Sequence, residues 1–169
     1  MTTTTLTGER ADILEALGKA RYFLRHTAQG LTDEQARTRS TVSELTVGGL
    51  IKHVAGTELQ WRRFIVEGPG VMELNEAKFQ EWADNFKLLE TDTLADVLAR
   101  YAEVAAETDA LVASVDLDAT QPLPEAPWFE PGVRWSARRV FAHIVAETAQ
   151  HAGHADIIRE SIDGQKSMG

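Results

Sequence analysis

The 169-residue chain contains no cysteine. Disulfides, a thiolate nucleophile and thiolate metal ligands are excluded from the start. Proline is scarce, and four of the five prolines fall between Pro122 and Pro131, leaving the rest of the chain free for long helices. The opening "MTTTTLTGER" lacks a basic region followed by an apolar run, so no signal peptide is expected. No apolar stretch is long enough to span a bilayer. A cytoplasmic location and no membrane partner are the expectation. Basic residues are few and scattered, and the formal net charge of -9 gives phosphates nothing to bind, which excludes a nucleic-acid partner. Walker motifs and nucleophile elbows are absent as well.

What is present reads as an ordinary soluble globular chain, with 43% hydrophobic and 25% charged residues. Its length suits one domain, residues 1–169, with a core that needs no staples.

Apolar residues recur at helical rather than alternating spacing. A first helix is expected over about residues 8–28, with Ile13, Leu17, Ala20 and Leu24 on one face and Gly30 as a stop. Thr32 caps a short helix, and Thr46 caps a long one to about Val66 that "EGPG" ends. Another short helix is expected near "EAKFQEWADNF", residues 76–86. "TDT" caps a third long helix, about Leu94 to Ser114, and Ser136 caps the last, through about Ile162, before a frayed "DGQKSMG". The Pro-rich stretch between them is an ordered crossing loop, because Leu123, Trp128 and Phe129 need cover. No strand pattern competes. The fold class is all-α, a four-helix bundle with a long crossing connection before the last helix.

Three of the five histidines lie in "FAHIVAETAQHAGHAD", residues 141–156, together with Glu147. At roughly 100° per residue, with His143 at zero, Glu147 falls near 40°, His151 near 80° and His154 near 20°. Val140, Ile144, Ile158 and Ile162 overlap this arc at about 60° to 100°, whereas Arg138, Asp156 and Glu160 lie opposite. The stripe therefore points into the core. A carboxylate there costs several kcal/mol unless something pairs with it, and no cation of this helix shares the arc.

His53 sits beside the apolar arc of the second long helix. Glu147 and His151, one turn apart, can grip an ion that His53 reaches from a facing helix. Two His and one Glu with an open fourth position is the donor set of a catalytic zinc. The ordinary alternatives are a hydrogen-bonded core residue for His53 and a surface pair for Glu147 and His151. His26 reads as a dipole partner at the end of the first helix. Trp61, Trp82, Trp128 and Trp135 read mostly as core filling, and Gly48, Gly49 and Gly153 as points of close helix packing.

"SELTVGGLIKHVAGTELQW" and "RWSARRVFAHIVAETAQHAGHADIIRESIDG" resemble the two signature stretches of DinB-like proteins, over nearly the whole chain. The resemblance is nearest to the branch that includes mycothiol-dependent maleylpyruvate isomerase. It implies a four-helix bundle of unusual connectivity, often a homodimer, holding a divalent metal, zinc or else nickel, between helices. Many such proteins use three histidines, the last two spaced H-x-x-x-H. Here Glu147 stands at the first of that pair, His151 at the second and His53 at the remaining position. That His–Glu–His set is the isomerase's own.

The implied activity is transfer or isomerisation with a low-molecular-weight thiol such as mycothiol, bacillithiol or glutathione, acting on an electrophile. The chain carries no counterpart of the isomerase's additional C-terminal domain, so that particular reaction is not expected. His143 and His154 become candidates for proton transfer or for orienting the ligands. The other reading is a non-catalytic scaffold or small-molecule-binding module, tied together by the metal.

Overall fold

Three of the four long helices begin where a hydroxyl takes an orphan backbone N–H; the first begins at Gly8 with no side-chain cap. In the structure, a computed structural model that describes residues 6–73 and 84–167, the helices are α1 (Glu9–His26), α2 (Asp33–Arg37), α3 (Val47–Glu67), α4 (Leu94–Ser114) and α5 (Ala137–Asp163). The Oγ atoms of Thr46, Thr93 and Ser136 each accept from the N–H three residues on, at 3.1 Å. Thr32 does the same within a full capping box with Gln35. The short helix expected near residues 76–86, and Trp82 with it, falls almost wholly outside the described residues.

α1 packs against α5 and α4, and α3 packs against α4 and α5, so α1 and α3 face each other across the bundle. Two apolar clusters fill it. One includes Leu24, Leu50, Val54 and Ile158; the other includes Leu17, Phe64, Val112 and Phe141. Between them every long helix contributes a buried polar residue: Arg21, Glu58, Thr108 and Thr148. Arg21 Nε donates to Glu58 Oε2 at 3.1 Å, and its Nη1 donates to Asp109 Oδ1 at 2.7 Å. A buried charge left alone would cost several kcal/mol, and the guanidinium offsets much of that cost for Glu58.

The crossing connection is ordered, as its apolar residues require, but it also contains strands that the sequence does not announce. β1 (Thr120–Pro122) pairs antiparallel with β2 (Arg134–Ser136), Thr120 opposite Ser136. Three residues are too few for alternation to register as a pattern. The ribbon ends at Ser136, the cap of α5, and so fixes where that helix starts.

Two further expectations are corrected. As far as Ser167 the C-terminal stretch is tied down rather than frayed: Gly164 (φ 80°) ends α5, and Ser167 N donates back to Asp156 Oδ1 at 2.6 Å. A Cβ at Gly153 would meet nothing within 4 Å, so this glycine marks no close packing. Gly49 does: a Cβ there would stand 2.1 Å from the Phe86 carbonyl oxygen. The neighbour is the segment entering α4 rather than another helix. No helix among the described residues is long and apolar enough to cross a membrane.

Candidate metal centre

α3 and α5 lie side by side, and their facing sides bring three donors together. His53, Glu147 and His151 each offer one ligand atom, all within 4.8 Å of one another. The i, i+4 spacing on α5 places His151 Nε2 3.5 Å from Glu147 Oε2. The His53 ring meets the His151 ring edge-on, with centroids 4.9 Å apart. Its own face stacks on Phe86 at 3.7 Å, which fixes the plane of the imidazole.

His53 is 9% exposed, and its Nδ1 is buried with no hydrogen-bond partner among the described residues. Its Nε2 has only Thr57 Oγ1, at 3.5 Å, so neither ring nitrogen is held by a short hydrogen bond. Burial pushes the His53 imidazole down to about 4, with His151 acting in the same direction. Burial, and then His154, also lowers His151. Both rings are thereby held in the neutral form that has a lone pair for a cation.

Glu147 sits less deeply than the helical wheel implies. It is 30% exposed and His151 12%, at the edge of the core rather than within it. Among the described residues the fully buried carboxylate is Glu58, whose partner Arg21 comes from the opposite helix and is invisible to a reading of α3 alone. Glu147 therefore does not depend on a cation to remove a burial cost, and the donor set can be reached from solvent.

The remaining histidines divide. His154 Nδ1 lies 3.3 Å from His151 Nδ1, a contact that leaves His151 Nε2 turned toward Glu147. His154 is not one of the three converging donors. His143, one turn before Glu147, stands edge-on to Trp61 at 4.7 Å and to Trp135 at 5.2 Å. Burial lowers its pKa, Glu147 opposes the shift, and Arg139, lying 4.0 Å over Trp135, adds to it. His26 is elsewhere, stacked on Tyr22 in the last turn of α1.

Trp61 is core, as expected, and stacks on Trp135 at 5.0 Å. Trp128 is not core: it is 70% exposed. It borders a cleft of about 820 Å³ whose walls include Trp61, Met72, Phe129, Glu73 and Glu125, within the size range of small-molecule sites. Sequence reasoning missed Phe86 and Thr57. Thr57 was open to it, one turn after His53; Phe86 had no local signal, because only tertiary packing brings it to the ring.

The model of the mycothiol-S-transferase family matches residues 12–164. The chain belongs to that family. Among solved structures, this mycothiol-S-transferase family member is similar to YfiT from Bacillus subtilis, described as a probable metal-dependent hydrolase with an unusual four-helix bundle topology. The TM-score is 0.67 at 16% identity, over 94% of this chain and 90% of that one. A conserved protein from Enterococcus faecalis is similar at TM-score 0.63 and 17% identity, over 95% of this chain and all of the other. These likenesses establish the DinB-like, YfiT-like four-helix bundle. No curated protein matches the chain.

Proposed function

We propose that His53, Glu147 and His151 hold a divalent ion, zinc in the first place and nickel in the second, and that the protein is a thiol transferase or isomerase using mycothiol or a related thiol. The observation that carries this reading is the convergence of three donors within 4.8 Å, one of them a buried imidazole with no short hydrogen bond. Two neutral imidazoles and one carboxylate leave a net positive charge on a divalent ion, as a catalytic zinc set does.

The ion's contribution when bound is to lower the pKa of a thiol, so that thiolate is present near neutral pH. The chain's own residues do the rest. Phe86 and Thr57 hold the His53 ring. His154 turns His151 so that Nε2 faces the site, the usual task of a group behind a ligand. His143, kept neutral by burial beside Trp61 and Trp135 and one turn before Glu147, is the candidate to accept the thiol proton. The exposure of Glu147 favours a substrate-binding centre over a closed structural one. A cytoplasmic setting, where small thiols stay reduced, fits the same chemistry.

The test begins with metal analysis of tag-free protein purified without added metal. Mycothiol, bacillithiol and glutathione are then offered to a panel of electrophiles, before and after chelation. Metal-dependent consumption of a thiol is the expected result. A bound ion with no turnover in any combination would instead leave a scaffold in which the ion ties α3 to α5.

A further inference from the structure

The cleft bordered by Trp128 contains none of the three converging donors. It adjoins the proposed metal centre through one shared side chain: Trp61 forms part of its wall and touches His143. Trp61 follows His53 on α3 by about 12 Å of helix rise. A molecule whose sulfur sits at the three donors must carry an arm on the order of 10 Å to occupy this cleft.

The lining says what that arm is made of. Trp128 offers an exposed aromatic surface, with Trp61, Phe129 and Met72 beside it in the wall. Among the described residues, the polar lining consists of Glu73, Glu125 and the Gln60 amide, with no cation. Carboxylates accept hydrogen bonds and repel anions. Among the described lining residues a phosphate or carboxylate arm finds no cationic partner. A purely aromatic arm would leave the carboxylates unused. Aromatic faces flanked by acceptors suit a ring with C–H faces and a rim of hydroxyl donors.

We infer that this cleft binds the polyhydroxylated portion of the thiol, the glucosamine–inositol pair in mycothiol, with Trp128 as its stacking platform and Glu73 and Glu125 as hydroxyl acceptors. The inference rests on the thiol reading of the metal centre but concerns a separate set of residues. Trp128, Glu73 and Glu125 are all exposed, so replacing them leaves the core intact.

S-methyl mycothiol, which cannot form a thiolate, is titrated calorimetrically into the protein as purified. Binding is expected, weakened at least tenfold by Trp128→Ala and about fivefold by Glu73→Gln with Glu125→Gln, since charge-assisted hydrogen bonds are lost. N-acetyl-S-methylcysteine, which lacks the sugars, should show no measurable binding. No binding of S-methyl mycothiol, equal binding of the sugar-free thioether, or indifference to Trp128→Ala overturns the inference. So does saturation of the cleft by 1-naphthol in place of the sugar compound, which would assign it to the electrophile. Metal-dependent turnover without this binding sinks the cleft assignment alone; binding without turnover sinks the catalytic reading alone.

Discussion

Arg21 of α1 and Glu58 of α3 meet in the middle of the bundle, both buried, although their helices are not neighbours. The pair spans the core between the two apolar clusters and holds the one fully buried carboxylate among the described residues. Arg21→Met should cost about 3–5 kcal/mol, because Glu58 is left buried without a partner. Arg21→Met with Glu58→Leu should recover most of that loss. Urea unfolding checks both, and a single variant no worse than the double would mean that the pair contributes little.

Removal of the ion should lower the melting temperature, and zinc should restore it. His53→Ala, Glu147→Ala and His151→Ala should each lose most of the bound metal in elemental analysis. Glu147→His should keep much of it, since a third imidazole replaces the carboxylate. Loss of metal from Glu147→His but not from Glu147→Ala would contradict the assignment.

His154→Ala should retain the ion and shift the pH profile of turnover, as changes behind a ligand do. A stripped His154→Ala protein would make His154 a ligand in place of Glu147.

Without metal, the protein should be acid-sensitive in a defined window. His53 titrates at about 4 when folded and near the ordinary 6.5 when unfolded. Between those values the unfolded chain binds more protons, so stability rises with pH up to about 6.5 and is level above it. His53 alone is worth at most roughly 3 kcal/mol across the window, and the lowered His143 and His151 act in the same sense. His53→Gln should flatten the dependence of the urea midpoint on pH; an unchanged slope would show that His53 is already protonated or solvated.

Two glycines of helical sequence should respond oppositely to alanine. Gly49→Ala drives a methyl into the Phe86 carbonyl and should destabilise by about 1–3 kcal/mol. Gly153→Ala meets open space and should stabilise by up to about 1 kcal/mol through helix propensity. Thermal melts of the two variants decide the matter.

The helix starts at Thr46, Thr93 and Ser136 were legible because capping is local, decided within three residues. The spacing of Glu147 and His151 was legible for the same reason. What escaped depends on distant segments. Phe86 under His53, Arg21 beside Glu58, and the three-residue strands that pair across the crossing loop all require chain neighbours that no window contains. The depth of Glu147 was overestimated because a helical wheel gives direction and not distance to the surface. Mean apolarity likewise could not show that Trp128 stands in the open while Trp61 is enclosed.

The crossing connection has a kinetic consequence. More than half of the chain separates His53 from Glu147, and the two meet only when α5 docks against α3. Bringing the donors together is thus among the most non-local events in folding, with a loop-closure cost that precedes any reward. An ion that binds only once the donors have met is expected to slow escape from the native state rather than speed folding. Cells that briefly lack metal would still produce the folded chain at the same speed, and lose it faster.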